Sequence, residues 1–175
     1  MSILPHIQKL IQTRKLFWVP SLLPGEKAER KMVITANVES VICPPFPETQ
    51  LGVRHSDFRQ TIDSFVTGEE LSVSFIYNRK PPGTILAATN PLDSGFWQLR
   101  STAVAPGMRL LGAFIEKDFF VGLSFNYREK MKPFDASVQD CAQVWEDLFQ
   151  DYSPLKGHEI STYLTRGYNV QQAKQ

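Results

Sequence analysis

Cysteine is nearly absent from this sequence: Cys43 and Cys141 are the two present. Two thiols cannot staple a small disulfide scaffold, so stability has to come from a hydrophobic core. A zinc site needs more ligands, and His6, His55 and His158 are scattered along the chain, so no metal and no cofactor is expected. Long apolar runs are missing too. His6, Gln8, Lys9 and Gln12 interrupt the first residues, which excludes a signal-peptide core there, and no stretch approaches the roughly 18 apolar residues of a membrane span. A cytoplasmic chain with no membrane segment is expected. Nor does one sign of charge dominate. The 19 basic residues face 18 acidic ones, so a site for a polyanion has to be a local patch. Standard catalytic signatures are absent: no G-x-S-x-G elbow, no Walker loop, no dinucleotide fingerprint, no H-E-x-x-H, and ten glycines spread too widely for a phosphate cradle. Glu69 and Glu70 are adjacent, so on a strand they point to opposite faces and make a poor acid–base pair.

What is present is core material. Hydrophobic residues make up 42% of the 175, among them 12 phenylalanines and 3 tryptophans, enough for one domain of ordinary size over residues 1–175. Residues 171–175 read as a frayed polar tail. Leu4, Ile7, Leu10 and Ile11 fall at helical spacing, and Leu16 to Val19 reads as a short extended segment. Met32 to Cys43 is rich in β-branched residues, which favours strand, with a bend at Asn37 or two short strands on either side of it. Pro44-Pro45-Phe46-Pro47 is a rigid connection. Ser56 is a candidate N-cap for a helix over about 56–67, stopped by Gly68.

From Leu71 the period changes to two, predicting a strand to about Asn78 and a second over Thr84 to Ala88. Phe96 to Ser101, Met108 to Glu116 and Phe119 to Tyr127 predict a three-strand antiparallel meander over about 95–127, because its connections are short. Phe119, Val121, Leu123, Phe125 and Tyr127 form one predicted stripe, while Gly112 and Gly122 mark a bulge or a close approach. Val138, Cys141, Ala142, Trp145, Leu148 and Phe149 define an amphipathic helix over about 137–150, capped by Asp135 or Ser137. A last helical turn is expected over Glu159 to Leu164. The expected class is α+β: a mostly antiparallel sheet of about five to seven strands packed against helices.

The constellation with chemical potential is basic. Arg100 and Arg109 sit on the first two meander strands, and Arg128 and Lys130 follow the third. In-order pairing gathers these cations, which suits phosphate binding and stabilisation of negative charge, with Tyr127, Phe96 and Trp97 as stacking surfaces. The plain alternative makes them solvated strand ends or partners of Glu116, Asp118 and Glu129. His55 and His158 are candidate bases that read equally well as loop histidines.

Trp97-Gln98-Leu99-Arg100, then Met108-Arg109-Leu110-Leu111, then Phe119 to Lys130 resembles the core of RelE/HigB-like toxins, small bacterial ribonucleases that cut messenger RNA and are held inactive by an antitoxin. The resemblance spans about 35 residues. It implies RNA- or phosphate-contacting roles for Arg100, Arg109 and Arg128, and catalytic roles for Arg109, Lys130 and Tyr127. Phe125-Asn126-Tyr127-Arg128-Glu129-Lys130 departs from that family's histidine-glycine-phenylalanine strand end. The competing expectation is a non-enzymatic interaction or accessory module of a bacterial cytoplasmic system. It would offer Phe96 and Trp97 to a protein partner or a second copy.

Overall fold

The computed structural model describes residues 2–25, 27–76, 80–101 and 107–172. Short β-branched and aromatic runs pair into one sheet. In chain order the strands are β1 (Leu16–Trp18), β2 (Lys31–Thr35), β3 (Leu71–Ser74), β4 (Leu86–Ala88), β5 (Phe96–Ser101), β6 (Met108–Glu116), β7 (Phe119–Tyr127) and β8 (Tyr168–Val170). Across the sheet they run β1-β2-β7-β6-β5-β4-β3-β8. The expected meander is the antiparallel set β5-β6-β7. β2 joins it parallel to β7, and β3 lies parallel to both β4 and β8. The eighth strand went unforeseen because three residues carry no readable alternation.

Helices cover both faces. On one, α2 (Ala36–Ile42) and α3 (Gln50–Val66) lay Val38, Ile42, Phe58, Ile62 and Phe65 on Ile34, Leu99, Leu110 and Phe120. On the other, α1 (Leu4–Gln12) and α4 (Phe134–Phe149) lay Ile7, Leu10, Cys141, Trp145 and Phe149 on Val33, Leu111 and Val121. The α+β class holds, with the two predicted helices on opposite sides of the meander. Coverage on both faces explains why β6 and β7 read as near-continuous apolar runs.

Several predicted boundaries move. Val38 to Ile42 is α2 rather than a second strand: Val38 and Ile42, four residues apart, both bury fully, and that packing overrides β propensity. Helix α3 begins at Gln50, where Thr49 Oγ1 accepts from the Gly52 N–H at 3.1 Å, so Ser56 and His55 lie inside the helix. Gly68, with φ of 81°, ends it as expected. Helix α4 starts after Pro133 without a side-chain cap. β3 stops at Ser74, and the expected extension to Asn78 falls partly outside the described residues. Gln171 donates its N–H to Val73 O at 2.7 Å and is therefore tied down, while residues 173–175 lie outside the description.

The predicted single stripe on β7 is broken by a bulge. Leu111 pairs with Ser124 but Gly112 pairs with Gly122, so Leu123 is the extra residue. Phe119, Val121 and Leu123 face α4, whereas Phe125 and Tyr127 pack toward α3. Gly112 makes this possible, since a Cβ there would stand 1.9 Å from Val121 O. Gly112→Ala should cost at least about 2 kcal/mol, because backbone has to shift to admit one methyl group. The urea midpoint checks it, and an unchanged midpoint contradicts this pairing.

Candidate functional site

The bulge sets which residues share a face at the far end of the meander. Arg100 on β5 lies directly opposite Arg109 on β6, which lies opposite Asn126 on β7. The neighbouring row, Leu99, Leu110 and Phe125, faces α3, so the arginine row faces the side of α4. Arg128 follows at the end of β7, where its N–H donates to Gly107 O at 2.7 Å. Three of the four predicted cations thus gather.

Each guanidinium is anchored to main chain. Arg100 Nη1 donates to Thr84 O at 3.2 Å. Arg109 Nη1 donates to Met108 O at 2.8 Å and Ser101 O at 3.3 Å. Arg128 Nη1 donates to Met131 O at 3.2 Å, and its guanidinium lies 4.7 Å from the centre of the Phe134 ring. Among the described residues none of the three pairs with a carboxylate: the ion pairs are Arg59–Asp63 and Arg166–Glu29, and Asp118 binds Thr165 instead. Carbonyls fix a guanidinium in place without cancelling its charge.

The electrostatics follow. Burial, then the charges of Arg100 and Arg128, push Arg109 down to about 10. Arg100 is lowered by burial and by Arg128. Lys80, just before the Pro81-Pro82-Gly83 turn, is pushed down to about 8 by burial and then by Arg100, Arg109 and Arg128. Arg109 is 7% exposed, and the Nε atoms of Arg100 and Arg109 are both buried without a hydrogen-bond partner. Like charges directly across a ladder destabilise it, and buried unmet donors add to the cost. The arrangement improves when an anion arrives.

Tyr127 pairs with Met108, not Arg109, and so turns to the opposite face. There its hydroxyl shares a 3.0 Å hydrogen bond with His55 Nε2. The Arg54 guanidinium and Lys130 Nζ lie 5.1 and 5.6 Å from the centre of its ring. Burial, then the Arg54 charge, lowers the pKa of His55, which keeps the imidazole neutral near pH 7. The trio Arg109, Lys130 and Tyr127 is therefore divided between two faces. The resemblance put these residues in one sequence segment, and the alternation of β7 separates them.

Phe96 and Trp97 need correction as partner anchors. They are 8% and 1% exposed, one in each core, with Phe119 and Phe120 equally hidden. Strands covered on both faces leave no aromatic surface to offer. Sequence reasoning missed Lys80, Arg54 and Asn126 at the site. Lys80 sits in a proline-rich turn and Arg54 in a helix, and no spacing links either to the meander. His158 is exposed. Cys141 is buried, and burial pushes its thiol up to about 12. Half-buried Cys43 accepts from Arg59 Nη1 at 3.4 Å. Among the described residues no group of three or more histidine, cysteine or acidic side chains is placed to hold a metal, and no helix is long and apolar enough to cross a membrane. No protein-family model, no curated protein and no solved structure matches the chain.

His55 generates a pH prediction. Its folded pKa lies below the ordinary 6.5, so between the two values the unfolded chain binds more protons. Its contribution to stability is whole above pH 6.5 and is lost as pH falls toward the folded value. Melting temperatures at pH 7.5 and 5.5 should differ less in His55→Gln than in the parent. Equal differences contradict the assignment.

Proposed function

We propose that this chain binds RNA, with Arg100, Arg109 and Arg128 holding phosphate groups at the end of the meander. The observation that carries the reading is the directly opposed Arg100–Arg109 pair, joined by Arg128 and anchored to carbonyls rather than carboxylates. Preorganised, uncancelled guanidiniums suit phosphate oxygens. On the other face of the sheet the ring of Tyr127, flanked by Arg54 and Lys130, is a separate aromatic and cationic surface of the kind that single-stranded RNA uses. The likeness to RelE/HigB-like toxins points the same way and would make the chain a bacterial cytoplasmic protein.

Binding, rather than cleavage, is what the geometry supports. His55 and Tyr127 offer a neutral base and a phenol, but the charge-stabilising arginines face away from them. The rival reading, an interaction module, loses its anchors with the burial of Phe96 and Trp97. Among the described residues the exposed large apolar side chains are Leu4 on α1, Trp18 on β1, Leu22 and Leu23 in the loop that follows, Leu51 and Val53 on α3, Leu92 before β5 and Val170 on β8, a distribution over most of the elements rather than on one face of the meander.

A short single-stranded RNA should bind with a slope of log K on log salt of about −2, from three phosphate contacts at about 0.7 each. Arg100→Gln should weaken binding several-fold and flatten that slope by about 0.7. Its melting temperature should stay or rise, because a like-charge pair is removed. Fluorescence anisotropy and thermal unfolding read the two quantities, and retained affinity in Arg100→Gln rejects the site. Affinity should also fall between pH 7 and 9.5, as Lys80 in the RNA-free chain loses its proton near 8 while the bound anion holds it on. A flat profile excludes Lys80 from contact.

A further inference from the structure

Resting on the RNA reading above, we propose that the arginine cluster takes the terminal phosphate monoester of an RNA end in preference to an internal phosphodiester. The first observation is depth. Arg109, the central cation, is 7% exposed, whereas Arg100 and Arg128 on either side are half-buried. A cation set deeper than the two beside it is reached more readily by a chain end than by a strand passing across. Gly107 lets the chain pack directly against that guanidinium, since a Cβ there would stand 2.9 Å from Arg109 Nη1.

The second observation is the donor set. Each arginine commits Nη1 to a carbonyl and leaves Nη2 unbonded among the described residues. Asn126, opposite Arg109, accepts the Tyr127 N–H on Oδ1 at 2.9 Å, which leaves its amide nitrogen as a donor. A phosphodiester brings one negative charge and two free oxygens. A phosphomonoester brings three oxygens and about two charges at pH 7, the closer match to three guanidiniums and Lys80.

The test uses one single-stranded RNA sequence, labelled internally, in three forms: hydroxyl at both ends, phosphate at the 5′ end, phosphate at the 3′ end. One phosphorylated form should bind at least about tenfold tighter than the hydroxyl form, a difference on the scale of one charge-assisted bidentate contact. Inorganic phosphate should compete at the tighter site. Arg128→Gln, at a half-exposed position, should reduce the preference to about twofold or less while its melting curve stays that of the parent. Arg109→Gln should abolish the preference, and circular dichroism decides whether that variant is folded. Three forms binding within twofold of one another overturn the end-recognition proposal and leave RNA binding standing. No binding of any form overturns the RNA reading itself.

Discussion

One extra residue in β7 decides what the basic end of the sheet can do. Leu123 has no partner across the ladder, because Gly112 lets Val121 O approach where any side chain would block it. Below the bulge, Phe119 and Val121 face α4; above it, Phe125 and Tyr127 face α3. Asn126 consequently joins the arginine row, and Tyr127 joins His55. A regular β7 would put Tyr127 on the side of Arg109 and turn Phe125 away from Phe58, which it now meets at 5.2 Å between ring centres.

The same molecule shows how it treats buried arginines that serve structure. Arg30 is 2% exposed and donates to four carbonyls, those of Phe65, Glu69, Arg166 and Gly167, between 2.9 and 3.1 Å. Arg59, also 2% exposed, meets the Asp63 carboxylate at 3.1 Å and the carbonyls of Ile42 and Pro20. Arg30 ties the end of α3 to the C-terminal segment, and Arg59 ties α2 and α3 to the loop after β1. Arg109 is nearly as deep, yet its Nε has no partner and its nearest charges are cations. Held by two carbonyls at Nη1 alone, Arg109 is the least compensated of the three buried arginines.

Much of the fold was readable because its signals are local. The meander, the Trp145 helix and the Gly68 stop each rest on spacing within a dozen residues, and Gly112 was recognisable as a bulge or a close approach. Val38 to Ile42 was misread because strand propensity there is overridden by contacts with β2 and β7. The site was half legible. Arg100, Arg109 and Arg128 come together because consecutive strands pair in order. Lys80 reaches them, and Arg54 reaches Tyr127 on the other face, through tertiary packing, for which no sequence interval codes. The division of Tyr127 from Arg109 was invisible, since it depends on one unpaired residue. Phe96 and Trp97 looked like surface anchors because alternation alone does not tell a half-covered sheet from a sheet covered on both sides.

Near-neutral overall charge bears on how such a site works. A strongly basic chain gathers nucleic acid from any direction and relies on counterion release along a long contact. With a net charge of +1 this chain gains little from that general attraction. On the RNA reading proposed above, affinity would come from a small number of cations held close together, three of them anchored to carbonyls, which makes their placement decisive. Repulsion among Arg100, Arg109, Arg128 and Lys80 is borne by the two hydrophobic cores flanking β5, β6 and β7. The apolar burial that holds the register also holds the charges against one another, so the strength of the sheet and the electrostatic readiness of its basic end have a common source.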